Sequence, residues 1–143
     1  MDKGLVVKKS IFIHADPQNV WDALVNPKKI KRYLFGTDTI SDWKVGSRIT
    51  YKGVWNGKEY EDGGTILQLV PEKFFQSTYW SSMSGTQDKP ENYATVTYEL
   101  SKEGEGTLLT LTQDNCKTEE QKKHLESNWG MVLEGLKKVA EGK

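Results

Sequence analysis

Residues 118–140 read TEEQKKHLESNWGMVLEGLKKVA, and how this stretch folds decides the architecture. Leu125, Trp129, Val132, Leu133, Leu136 and Val139 fall at helical spacing, so one stripe of a long helix is apolar. Thr118-Glu119-Glu120-Gln121 opens that helix as a capping box, with Thr118 accepting from a free backbone N–H and Gln121 reaching back. Gly130 and Gly135 interrupt it, each at a cost of about 1 kcal/mol relative to alanine, which points to close backbone approach or to looseness there. A stripe of this length needs an apolar face to cover it, and the segment before it supplies a sheet.

Working outward, residues 37–115 alternate between strands and turns. Ser47 to Trp55 places Ile49, Tyr51 and Trp55 on one face and Arg48, Thr50 and Lys52 on the other. Asn56-Gly57 follows as a two-residue hairpin turn, because both residues tolerate the positive φ of a type I′ turn. Further strands are expected over Gly64 to Val70, ending at Pro71, and over Phe74 to Trp80. Tyr93 to Leu100 and Thr107 to Gln113 form a last hairpin around Gly104-Glu105-Gly106. Ser81 to Glu91 reads as a polar loop. At the other end, Leu5 to Ile13 is a strand. Asp16-Pro17 then caps and starts a short helix carrying Val20, Trp21 and Leu24. Asn26-Pro27 starts a second, with Ile30, Tyr33 and Leu34 inward and Gly36 at its end. Strand, two short helices, about six antiparallel strands and a long helix make an α+β domain.

The chain has 143 residues with 20 Lys+Arg against 20 Asp+Glu, one domain's length with no charge bias toward nucleic acid. One cysteine, Cys116, forbids an internal disulfide and a multi-cysteine zinc site. The apolar run at Leu5 to Val7 is too short for a signal-peptide core, and no run reaches the ~18 apolar residues of a membrane span. A cytoplasmic monomer is expected, without cofactor, metal, nucleic-acid partner or membrane insertion.

The ordered set of motifs resembles the START-like (SRPBCC) superfamily, in the branch similar to the C-terminal domain of the heat-shock-protein-90 ATPase activator. The residues that carry the likeness begin with Ile13, Ala15, Pro17, Val20-Trp21, Ala23-Leu24 and Asn26-Pro27. They continue through Val45-Gly46, Gly64-Thr65-Ile66 to Pro71, and Thr95-Val96-Thr97 to Leu100. They end with Gly106-Thr107-Leu108-Leu109-Thr110-Leu111 and Trp129, Leu133 and Leu136. Two positions depart from the pattern. Tyr33-Leu34-Phe35-Gly36 stands where the family often has a tryptophan, and Ser47 where it often has a second glycine after Val-Gly. The resemblance implies one domain over residues 1–143 with the helix-grip fold, a curved antiparallel sheet of six to seven strands around the long C-terminal helix. It implies no single activity, since the superfamily holds lipid carriers, hormone receptors, polyketide cyclases and co-chaperone domains.

A cavity in such a fold has to hold something. At ~24 cal/mol per Å³, an empty space of ~300 Å³ would cost about 7 kcal/mol, against a whole-domain stability of ~5–15 kcal/mol. The expected wall residues are Ile49, Tyr51, Trp55, Phe75, Tyr79, Val96, Tyr98, Leu109, Leu111, Trp129 and Leu133, suited to a small apolar or planar aromatic ligand. The alternative is that these side chains fill the space themselves, and alternation alone leaves Phe74 against Phe75 open. Catalysis finds little support, and no catalytic residue is assigned. Cys116 has no placed histidine, and His14 and His124 read as surface residues. Glu61, Asp62 and Asp114 read as solvated residues near strand ends, with a cyclase-like role the less supported alternative. Lys28, Lys29, Lys31 and Arg32 form the one basic cluster, either a solvated helix face or a surface for an acidic partner such as a chaperone.

Overall fold

Seven antiparallel strands and three helices fold from these patterns in the computed structural model, which describes residues 4–82 and 84–142. The side chain of Trp55 and the whole of Met83 lie outside the described residues. In chain order the elements are β1 (Leu5–Ile13), α1 (Pro17–Val25), α2 (Pro27–Tyr33), β2 (Asp38–Ser41), β3 (Arg48–Trp55) and β4 (Lys58–Val70). β5 (Phe74–Tyr79), a 3-10 turn (Pro90–Asn92), β6 (Ala94–Glu103), β7 (Gly106–Cys116) and α3 (Glu119–Ala140) follow. The strands pair in the order β1-β7-β6-β5-β4-β3-β2, and α3 lies against β1 with α1 and α2 packed on it. This is the helix-grip fold. Among the described residues no helix is long and apolar enough to cross a membrane.

Local chemistry sets the element ends, in several places differently from the expectation. Asn56 and Gly57 adopt φ of 50° and 78°, the type I′ turn, and Trp55 pairs with Lys58 across it. The following strand therefore starts at Lys58 and not at Gly64, because β3 needs a partner along its whole length. The four residues of β2 are too few for alternation to reveal. Asp16 does not cap α1 with its side chain; its carboxylate takes Lys102 Nζ at 2.9 Å instead. Asn26 does cap α2, accepting from the Lys28 N–H at 3.1 Å. The α3 cap is a capping box displaced by one residue. Thr118 Oγ1 accepts from the Gln121 N–H, while Gln121 Oε1 accepts from the N–H of Lys117, not of Thr118.

Val132, Leu133, Leu136, Val139 and Ala140 of α3 are buried, each of the larger ones contributing roughly 1.5–3 kcal/mol when fully removed from water. The far end of the helix is pinned to β1, since Glu141 Oε2 accepts from the His14 N–H at 2.8 Å and from Lys137 Nζ. Gly135 is the close approach the sequence implied, for a Cβ there would stand 3.0 Å from Tyr33 Cβ. Gly130 is not, since the nearest atom to its missing Cβ is Lys9 Nζ at 3.6 Å. In β4 the backbone at Gly64 runs so close to the Thr78 carbonyl that a side chain would collide with it.

These two glycines give opposite predictions. Gly130→Ala should raise stability by up to about 1 kcal/mol, through helix propensity alone. Gly64→Ala should lower it by about 1–3 kcal/mol, because backbone must move. Thermal unfolding of both variants checks the pair, and a destabilised Gly130→Ala would contradict the packing described.

Candidate functional site

Strand register settles which residues face the helix. Tyr51 pairs with Thr39 on one side and Asp62 on the other, while Phe75 pairs with Tyr98 and Tyr98 with Leu111. Cross-strand partners share a face. The concave face thus carries Thr39, Ile49, Tyr51, Asp62, Ile66, Phe75, Tyr79, Val96, Tyr98, Leu109 and Leu111. Phe75 is 2% exposed, which resolves the Phe74 ambiguity in its favour. Of the expected wall residues, only Trp55 has a side chain that is not described. Trp129 and Leu133 reach this face from α3, where Trp129 Nε1 donates to Gln113 Oε1 on β7 at 2.7 Å.

Much of the interior is filled by rings. Phe75 stacks on Tyr98 with centroids 5.8 Å apart, and Tyr98 meets Trp129 edge-on at 6.2 Å. Two residues the sequence reading left out of the wall close the cluster. Trp21 of α1 and Trp43 of the β2–β3 loop approach Phe75 at 6.4 and 6.1 Å. The hollows at the surface lie elsewhere. One of about 620 Å³ opens beside Asp38, Lys52 and Glu61, and one of about 410 Å³ beside Thr118 and His124.

The polar groups on the concave face divide into satisfied and unsatisfied. Tyr33 Oη donates to the Ala23 carbonyl at 2.7 Å. Asp62, 8% exposed, corrects the expectation of a solvated carboxylate near a strand end. It sits mid-strand in β4, where Oδ2 accepts from Tyr79 Oη at 3.0 Å and Oδ1 from Ser81 Oγ and the Ser82 N–H, both at 3.0 Å. Thr39 Oγ1, by contrast, is fully buried without a partner. The hydroxyls of Tyr51 and Tyr98 also have no hydrogen-bond partner among the described residues, yet they are not sealed in as Thr39 is. Burial, followed by the neighbouring tyrosines, pushes the ionisation of Tyr33 and Tyr98 to higher pH; for Tyr51 burial alone does so. For Tyr79, burial and then Asp62 push in the same direction.

The remaining candidates lie apart from this face. Glu61 is exposed and pairs with Lys52 at 3.6 Å. Asp114 is within β7, where its carboxylate accepts from the Thr95 N–H. Cys116 is buried, and burial followed by Asp114 pushes its thiol up, away from the reactive thiolate. His14 and His124 are exposed. In the basic cluster, Lys29 is bound to Asp22 at 2.6 Å and Lys31 to Asp38 at 3.0 Å, while Lys28 is exposed. Among the described residues no group of three His, Cys, Asp or Glu could hold a metal ion.

Relatives agree with this architecture. The sequence profile of the family described as "Activator of Hsp90 ATPase homolog 1-like protein" matches residues 14–141. The solution structure of ChR145 from Cytophaga hutchinsonii is 48% identical, with a TM-score of 0.85 over 99% of this chain and 97% of that one. The Aha1 dimer from Colwellia psychrerythraea is 22% identical, with a TM-score of 0.76 over 96% and 97%. CalU16 from Micromonospora echinospora is 23% identical, with a TM-score of 0.67 over 96% and 75%. No curated protein matches the chain in sequence.

The raised tyrosines make stability depend on pH in one direction. The folded chain keeps phenolic protons that the unfolded chain releases above pH ~10. Their contribution is therefore intact below that pH and is lost as pH rises further, by up to ~1.4 kcal/mol per pH unit for each tyrosine. Thermal unfolding followed from about pH 8 to pH 11 should show this late decline. A flat profile would contradict the burial of Tyr33, Tyr51, Tyr79 and Tyr98.

Proposed function

The chain belongs to the family of Activator of Hsp90 ATPase homolog 1-like proteins, and from that premise we propose that it binds a small hydrophobic or amphipathic molecule between the concave sheet face and α3. The observation that carries this reading is the unpartnered hydroxyl set of Thr39, Tyr51 and Tyr98 beside the aromatic cluster. A buried hydroxyl without a partner costs about 1–3 kcal/mol, and water or a ligand's polar group recovers it. The rings of Phe75, Tyr98 and Trp129 offer flat apolar surface to the rest of such a molecule. The reading is of binding, with the family resemblance and the geometry as its support.

A chaperone-facing surface is the second reading, favoured by the name of the family. The basic cluster at Lys28, Lys29, Lys31 and Arg32 is its expected contact for an acidic partner. Two of those four charges are already held in ion pairs with Asp22 and Asp38, which weakens the field available to steer a partner. Binding on the concave face is therefore the first reading.

Chemical-shift titration of the labelled protein with fatty acids, sterols and planar polyphenols tests it. The expected outcome is saturable shifts on β3, β5, β6 and α3 for at least one ligand class. Tyr51→Phe and Tyr98→Phe should each weaken that ligand by roughly 3–10-fold, the worth of a neutral hydrogen bond, while leaving thermal stability nearly unchanged. Affinity indifferent to both substitutions would overturn the assignment of the hydroxyls.

A further inference from the structure

The charge lining the proposed site narrows what it can hold. By register, the concave face carries four charged side chains among the described residues: Lys9 on β1, Lys58 and Asp62 on β4, and Lys102 on β6, which is bound to Asp16. Lys9 pairs with Leu111 and places Nζ beside Gly130, at the seam of β1 with α3. Lys9 shares its row with Leu111 and Tyr98, while β1 and β4 are separated by β7, β6 and β5, about 19 Å along the sheet at ~4.8 Å per strand. Lys58 is exposed at the tip of the β3–β4 hairpin. Asp62 alone is next to the unpartnered hydroxyls, paired with Tyr51 and bound to Tyr79, whose ring meets Tyr51 at 6.1 Å.

Three of the helix cations are held in ion pairs. Lys29 is bound to Asp22 and Lys137 to Glu141, and Lys31 reaches out to Asp38 on β2. Arg48 is exposed and next in sequence to the inward Ile49, so it faces the other side of the sheet. The ionisation of the inner tyrosines is consistent with this: burial, the other tyrosines and Asp62 act on them, and no lysine or arginine does.

An anion at the Tyr51 end of this space would lose its water and meet hydroxyls, aromatic faces and a carboxylate, with the inward Lys9 lying across the sheet on β1. An uncharged polar group meets none of that penalty. Thr39 Oγ1, Tyr51 Oη and Tyr98 Oη can each donate or accept, and Asp62 Oδ2, which takes the Tyr79 hydroxyl, has the lone pairs of a carboxylate oxygen for another donor. We propose that the site selects uncharged amphipathic molecules carrying hydroxyl or carbonyl groups and rejects carboxylate ligands, with Asp62 setting that preference. This rests on the binding reading above and adds the class of ligand to it.

A matched pair of probes tests it. 2-Naphthol is neutral at about pH 7, where a phenol keeps its proton, while 2-naphthoate on the same ring system is ionised. Titrations of the full chain should show 2-naphthol shifting resonances around Tyr51, Phe75 and Tyr98 with an affinity about tenfold or more above that of 2-naphthoate. Equal affinities, or tighter binding of the naphthoate at the same resonances, would overturn the charge preference while leaving the site standing. Shifts from neither probe on the inner face would instead remove the site itself, and the preference with it. Asp62→Asn keeps the shape and lets the Tyr79 hydroxyl turn from donor to acceptor. It should raise naphthoate affinity several-fold and so narrow the gap between the two probes. Unchanged naphthoate affinity in a folded Asp62→Asn variant would overturn the role given to Asp62.

Discussion

The path of β4 is fixed at Gly63 and Gly64, where its backbone runs against the strands on both sides. At Gly64 the β4 backbone passes against the Thr78 carbonyl, with no room for a side chain between them. β4 therefore serves two halves of the sheet, pairing with β3 up to Thr65 and with β5 from Ile66 onward. A glycine in mid-strand weakens the strand and permits a tight bend. That permission brings the Tyr51–Asp62 row and the Phe75–Tyr98 row onto one inner surface, which α3 then covers. The five buried side chains of α3 have somewhere to go only because the sheet is shaped this way.

The interior that results is aromatic and uneven in its polar satisfaction. Tyr33, Tyr79 and Trp129 each spend their polar atom on the protein, at Ala23, Asp62 and Gln113. Thr39, Tyr51 and Tyr98 do not. Native proteins rarely leave such groups idle, since desolvation without a partner is among the larger local penalties. Large rings answer the cost of an empty cavity over most of the interior, and the unspent hydroxyls mark where filling stops. Function, in this reading, occupies the part of the core that packing left incomplete.

Much of this was legible in the sequence, for identifiable reasons. Alternation in β3 and β6 is strict, so it places Tyr51 and Tyr98 on the inner face by itself. The stripe from Leu125 to Val139 required a sheet to cover it. Other features depended on distant chain. The choice between Phe74 and Phe75 comes from pairing with Tyr98, which local alternation cannot supply. Asp62 resembled a solvated residue at a strand end because Gly63-Gly64 follows it, and only the return of Ser81 and Ser82 across β4 buries and satisfies it. Trp43 lies in a loop with φ of 56°, where no periodicity marks a residue as inward. Thr39 is in a strand of four residues, too short to show a face.

Hydrogen exchange at the tyrosine hydroxyls is the most direct test of this account, read from the solvent isotope shift on tyrosine Cζ in a ring-labelled sample. Tyr51 and Tyr98, unbonded and not sealed, should exchange freely with water. Tyr33 and Tyr79, held by Ala23 and Asp62, should exchange markedly more slowly. Slow exchange at Tyr51 and Tyr98 as well would mean a closed, self-satisfied core, and would contradict the claim that the fold keeps a place for a ligand.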